Sequence, residues 1–478
     1  MRISTSHDPE SQIWVIDNSF LHITASADRG RITSIIDKRN DEECLGSKGM
    51  AFWPAEESER PTLVSSRLDD DAATLILSST DWERRLTWHA WVTIVPNVAS
   101  IAVKLVVFNR GWSPVDCSPH VCAWPIGPMA VVPIRHAAES LVVDEAVGVV
   151  GTMYGQLTWQ LGPQESAVTE ARLLWHPALD RIDFASADAI ARLGEGTLTI
   201  ASAETRRQQL LLVGSEGRTF ETRIDISPTV PTEMPLGSLP AGLDIFQLRD
   251  EGGRIILSNT PSRGLEALLE APPIPSLDHL LLDEEALKSA GRIPSVSAAA
   301  TFALGLLAMR GQRWEDAVEI FEDAAILRGD NPSVWWAKNW CLRYLDLQNE
   351  HDLANAHFLA PLDPALRADA YLNAPEDAKP DPLLDAWGDD PQPYLEMADL
   401  LGSAGLAEPR ARWLEEARRR APCSLIEVLL AAAHLEHGRE MAAAEHIGLS
   451  TKAPDRATEH RPSEILAVRA ARARFPLS

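Results

Sequence analysis

Cysteine is scarce in this chain. There are five in 478 residues (Cys44, Cys117, Cys122, Cys341 and Cys423), odd in number and scattered. That excludes a disulfide framework and points to a reducing compartment, the cytoplasm. Cys117 and Cys122 lie close together, but no second pair completes the spacing of a cysteine zinc site, and the sequence implies no metal or other cofactor. Positive charge is also short, with 44 Lys and Arg against 69 Asp and Glu and a net charge of −25. Such a chain repels phosphate backbones, which excludes nucleic acid as a partner. No apolar run is long enough to span a bilayer, so no membrane partner is expected. The opening residues, Met1-Arg2-Ile3-Ser4-Thr5-Ser6-His7-Asp8, lack the apolar stretch of a secretory signal. Tyrosine is rare, four against fifteen tryptophans. Tryptophan buries a large area and also stacks on flat apolar faces, and burial is the more frequent use.

What is present is ordinary for a soluble protein, 45% apolar and 24% charged. The length suits about two to four domains. From residue 13 to residue 257 apolar residues recur with period two, less regularly from Gly148, and over residues 62–95 a turn signal falls every eight to twelve residues, the pattern of a large antiparallel sheet. The stretch from Leu86 to Pro128 organises this part. Leu86, Trp88, Ala90, Val92 and Ile94 alternate with Thr87, His89, Trp91 and Thr93, which gives a strand with two unlike faces. After the Pro96-Asn97 turn, Ile101, Val103, Leu105 and Val107 mark a second strand, which Asn109-Arg110-Gly111 ends. Pro119 and Pro125 then stiffen the backbone around His120 and Trp124.

A strand pair, then Phe108-Asn109-Arg110-Gly111, a short loop, and an imidazole followed by an aromatic resembles the galactose-mutarotase-like fold. Gly30-Arg31-Ile32 followed by Asp37-Lys38 resembles an early strand of the same domains. The resemblance implies a β supersandwich over residues 1–270 that binds a sugar or oligosaccharide on a concave sheet. In that frame His120 stands where the family's acid contacts the sugar, although Val121, Cys122 and Ala123 replace the usual aromatic pair. Glu221, on the polar side of the 220–226 strand, and Glu56 or Glu57, in the Trp53-Pro54 loop, would supply the base. Trp53, Arg31, His89, Trp124 and His176 complete the expected sugar-binding set. Each also has a plainer role open to it: a solvated acidic loop for Glu56 and Glu57, the wet side of a strand for Glu221, and a packed corner for His176 in Trp175-His176-Pro177.

Ala271-Pro272-Pro273-Ile274-Pro275 reads as a linker that leads, over 271–295, into a first helix. Beyond it the apolar period changes from two to 3.6. Phe302 to Asn331 resembles a tetratricopeptide repeat, with Gly305, Ala308, Trp314, Ala317, Phe321 and Ala324 in register. Ala398, Leu401, Gly405, Trp413, Ala417 and Pro422 repeat the frame, and Ala431, His434, Gly438 and Ala443 repeat it again. Trp335 to Leu345 reads as a further first helix, residues 373–393 interrupt the array, and Ile465 to Phe475 suggests a capping helix. About three stacked copies suffice for a stable solenoid, so residues 296–478 form an all-α array.

Two functions follow from the pair. The first is carbohydrate binding or processing, with epimerase-like or glycoside-hydrolase-like acid and base chemistry at the anomeric centre. The second is a non-catalytic scaffold whose repeats hold a protein or peptide partner. The linker position implies that residues 1–275 fold alone.

Overall fold

The structure is a computed structural model that describes residues 3–27, 30–52, 63–81, 84–117, 121–138, 141–144, 159–194, 196–214, 219–236, 243–258, 274–277, 280–327, 331–347, 357, 363–373, 384, 387, 390–454 and 474. Strands run from Ser4 to Ser258 and helices from Glu284 to Ser450. The change of period near residue 275 therefore marks the passage from an all-β part to an all-α part.

Two seven-stranded antiparallel sheets form the larger sandwich. Sheet 1 orders its strands Ser4–Asp8, Ile13–Asp17, Leu21–Ser26, Arg31–Asp37, Leu45–Phe52 and Val121–Pro125, with Glu42–Glu43 paired off the path. Sheet 2 runs Leu141–Asp144, Ala130–Ala138, Ser166–Leu174, Ser100–Asn109, Leu86–Ile94, Ala73–Asp81 and Leu63–Leu68. The alternation read in the sequence decides what faces what. Leu86, Trp88, Ala90, Val92 and Ile94 enter one core with Ile16, Ile23, Ile32, Ile35, Met50 and Phe52 of sheet 1. The rings of Phe52 and Trp88 stand 6.0 Å apart across it. Each such side chain contributes roughly 1.5–3 kcal/mol on burial.

Within the stretch expected as one domain, 1–270, the described strands gather around a second core as well. Sheet 3 (Phe184–Ala185, Ala189–Gly194, Thr197–Ser202, Thr232–Pro235) and sheet 4 (Thr219–Ile226, Arg206–Gly214, Leu243–Arg249, Ile255–Ser258) close over Leu198, Ile200, Leu210, Leu212, Ile224 and Phe246. The corner between the two sandwiches is a buried polar lock. The Asp37 carboxylate takes Arg39 (Nη2, 2.6 Å) and the Trp175 indole N–H (2.8 Å), while Arg39 donates to the carbonyl of Pro228 (2.7 Å). Burial works to raise the Asp37 carboxyl, but Arg39 overrides it and holds the group below its ordinary range.

The helices are α1 (Glu284–Ala290), α2 (Ser297–Arg310), α3 (Trp314–Leu327), α4 (Pro332–Tyr344), α5 (Pro364–Leu372), α6 (Gln392–Ser403), α7 (Ala407–Arg420), α8 (Ser424–Glu436) and α9 (Glu440–Ser450). The pairs α2–α3, α6–α7 and α8–α9 coincide with the three repeats read from the sequence. Gly305 shows why the frame demands a small residue, since a Cβ there would lie 2.2 Å from the Phe321 ring. In the α6–α7 pair the buried Trp413 donates its indole N–H to the carbonyl of Tyr394 (2.8 Å). Of the expected capping helix only Arg474 is described; the rest of it lies outside the described residues.

Candidate functional site

Because sheet 2 turns its apolar residues inward, its outer face carries the alternate set. Register places Ser78 opposite His89, Trp91 opposite Lys104, Lys104 opposite Glu170, and Ala102 opposite Arg172. Ser78 and His89 are buried at one end of this row, and the side chains join through Ser78 Oγ and His89 Nδ1 at 2.7 Å. Farther along, Trp91 is half-buried, Lys104 is exposed with its ammonium 5.8 Å from the Trp91 ring, and Glu170 and Arg172 are half-buried. Arg172 leans on Asp188 (3.4 Å) at the edge of the second sandwich. The result is an indole with charged groups of both signs beside it.

The buried end of the row meets the helical array. Asn109, fully buried, shapes the loop there. Its amide donates to the carbonyls of Ser113 (2.8 Å) and Gly162 (2.8 Å), and its Oδ1 accepts from the Gly111 N–H (2.8 Å). Two non-glycine residues with left-handed φ, Arg85 (56°) and Gln164 (53°), brace the same loop. The Arg110 N–H donates to the carbonyl of Arg85 (2.8 Å), and Gln164 Nε2 donates to the carbonyl of Arg110 (2.6 Å). So held, Arg110 reaches across to the helices. Its guanidinium pairs with Asp363 Oδ2 and stands 3.5 Å from Glu396 of α6. The other Asp363 oxygen caps α5, accepting from the N–H groups of Ala365 (2.9 Å) and Leu366 (3.3 Å). Trp112, two residues on, stacks on Phe302 of α2 (5.8 Å, 15°) and belongs to the helical core. The cleft beside Arg110, lined also by Gln164, Ser333, Glu396 and Asp399, has about 20 Å³ of free space. That admits about one water and no sugar ring.

Electrostatics link the seam to the outer face. Burial pushes the His89 imidazole down to about 4; Asp363 pulls the other way, and Arg110 adds to the lowering. His89 is therefore neutral near pH 7, with one ring nitrogen that donates a hydrogen bond and one that accepts. Burial works against the charge of Arg110 too, but Asp363 and Glu396 outweigh it and raise its pKa.

His120, Trp53, Glu56 and Glu57 lie outside the described residues. The others do not converge. His89 faces outward from sheet 2. Arg31 and Trp124 lie on the outer side of sheet 1, where Arg31 donates to the carbonyl of Lys48 (3.2 Å) and the Lys48 ammonium stands 5.6 Å from the Trp124 ring. The whole sandwich core separates the two faces. His176 sits in the corner between sandwiches, its Nδ1 accepting from the Ala178 N–H (3.1 Å), and burial with Arg39 nearby takes it down to about 4. Glu221 is exposed on sheet 4, bonded to Gln209. The single cup expected to hold His89, Arg31, Trp124, His176 and Glu221 is thus replaced by four separate environments. Period two says which residues share a side of a strand, but not which sheet that side belongs to. The sequence reading also missed Trp91, Lys104, Glu170 and Arg172 as a group, though Trp91 was visible in the alternation. Asp363 had no signal at all, standing 253 positions from Arg110.

No protein-family model matches the chain, and no curated protein matches it. Among solved structures it is similar to a TPR-domain containing protein from Parabacteroides distasonis at 12% identity, covering 98% of this chain and 88% of that one with a TM-score of 0.23. It is similar to a galactose mutarotase-like protein from Lactobacillus casei at 10% identity, covering 47% of this chain and 95% of that one, TM-score 0.20. A galactose mutarotase related enzyme from Lactobacillus acidophilus matches at 9% identity, covering 55% of this chain and 100% of that one, TM-score 0.20. The division into an all-β and an all-α part stands on the strands and helices themselves.

Proposed function

We propose that this chain binds a carbohydrate on the outer face of sheet 2. The observation that supports this is the Trp91 indole with Lys104, Glu170 and Arg172 in adjoining register. A pyranose presents an apolar ring face to an indole and hydroxyls to charged neighbours on either side. Among the described groups of this face, binding fits better than turnover: anomeric chemistry needs a proton donor opposed to a base, and His89, neutral near pH 7, is not an acid there. The test is a thermal-shift screen of mono- and disaccharides, since a bound sugar raises apparent stability by mass action. At least one sugar is expected to shift the wild type and to lose that shift in Trp91→Ala. A full panel without a shift, or a shift unchanged in Trp91→Ala, removes the reading.

A second reading, a peptide-binding scaffold, is favoured by apolar residues left exposed on the α3–α4 pair, Ile326 at the end of α3 and Tyr344 and Leu347 at the far end of α4. Ile326 is 83% and Leu347 63% exposed, and Tyr344, 57% exposed, stacks on Trp314 at 4.2 Å. Peptide-array binding that Leu347→Ser abolishes, with no sugar response, would decide for it.

A further inference from the structure

The last repeat brings together a group that the carbohydrate reading leaves unused. Glu415 of α7, His434 of α8 and His446 of α9 each offer a ligand atom within 4.8 Å of the others. The α8–α9 hairpin sets this up, turning at Gly438 with φ of 68° and laying the two imidazoles face to face, 5.1 Å apart and 17° from parallel. His446 is buried and held from behind. Its Nδ1 meets Glu427 Oε2 at 2.7 Å, both side chains 8% exposed. Its Nε2 points toward Glu415 Oε1 at 3.8 Å, beyond hydrogen-bond reach. The His434 Nδ1 is buried and has no hydrogen-bond partner.

A buried imidazole backed by a carboxylate, with its other nitrogen aimed into a gap shared with a second imidazole and a second carboxylate, is how proteins prepare metal ligands. Burial, with His446 beside it, lowers the pKa of His434, the direction that favours the neutral imidazole a metal ion binds. We propose that Glu415, His434 and His446 bind one divalent transition-metal ion, with Glu427 orienting His446. Two imidazoles and a carboxylate suit zinc, and three protein ligands leave a fourth position open. Tetrahedral zinc with bonds of about 2.0–2.1 Å sets its ligand atoms roughly 3.4 Å apart, so small side-chain rotations close the site. Such an ion would clamp α7, α8 and α9 together, independently of any sugar on sheet 2.

The experiment is calorimetric titration of the chelator-treated full-length chain with zinc, and with cobalt to read coordination geometry by absorption. One equivalent is expected, with a tetrahedral cobalt spectrum and a raised Tm. Glu415→Gln and His434→Ala, both partly exposed, are expected to weaken binding at least about tenfold, and Glu427→Gln by about 10–100-fold. His22→Ala, which removes the separate His22–Asp17 pair (3.0 Å), is expected to leave affinity unchanged. Absence of binding overturns the proposal. So does stoichiometric binding that survives in a folded Glu415→Gln/His434→Ala double variant.

Discussion

Arg110 and Asp363 form an ion pair almost sealed from water, with side chains 3% and 1% exposed. Removing one partner of such a pair strands the other. Asp363→Asn keeps a side-chain oxygen for the α5 cap, so its effect isolates the charge. The expected loss is about 3–5 kcal/mol, read by urea unfolding, whereas Arg110→Met/Asp363→Leu together should cost less than the two single changes summed. His89 carries a second prediction at this scale. Its folded pKa of about 4 lies below the ordinary 6.5, so between these values the unfolded chain binds the extra proton. Stability therefore falls as pH drops from about 6.5 to about 4, by on the order of 3 kcal/mol, and levels off below. His89→Gln should flatten that part of a Tm-against-pH curve while leaving its acid limb from carboxylates in place. A curve unchanged by the substitution would show that His89 is not buried neutral.

Single elements show how much the sequence discloses. The helix pair α2–α3 was legible because its requirement is local: a small residue at 305 facing Phe321 at fixed helical spacing. Gly305→Ala would add about 1 kcal/mol of helix propensity, but its Cβ would lie 2.2 Å from the ring, and Phe321 is fully buried beside Phe302 (5.9 Å). Overpacking by this amount costs about 1–3 kcal/mol, so the variant is expected to melt lower than wild type; a higher Tm would mean the helices can part. The strands were equally legible, since Leu86, Trp88, Ala90, Val92 and Ile94 announce one buried side. The site was not. Whether Arg31 and His89 share a cup depends on how sheet 1 and sheet 2 stack, and no period along either strand encodes that. Glu221 and His176 stand apart from the other expected site residues for the same reason. His176 lies in the turn at Trp175-His176-Pro177 and Glu221 beyond it, in a corner and on a second sandwich that the pattern of alternation extends without announcing.

At the scale of the whole molecule, the two parts are not beads on a linker. Trp112 leaves the β part and enters the helical core, Ile274 and Leu277 follow it there, and the Leu277 N–H donates to the carbonyl of Trp112 (2.7 Å). This changes what cutting at residue 275 should do. Among the described residues the three β cores contain no helical residue, so the fragment 1–275 is expected to keep its strands. Arg110, freed from Asp363, regains water and costs little. Trp112 does not: a tryptophan removes roughly 150–250 Å² from water, worth about 4–6 kcal/mol at 25 cal/mol per Å², and the cut exposes it. The same substitution should then act with opposite sign in the two settings. Trp112→Ser should destabilise the full chain by about 3–5 kcal/mol and make the fragment less prone to self-association, as read by denaturation in one case and sedimentation in the other. If Trp112→Ser weakens both alike, the indole serves the β sandwich and not the seam. The helical array would then be held to the sheets by the Arg110–Asp363 pair and the linker, without the indole.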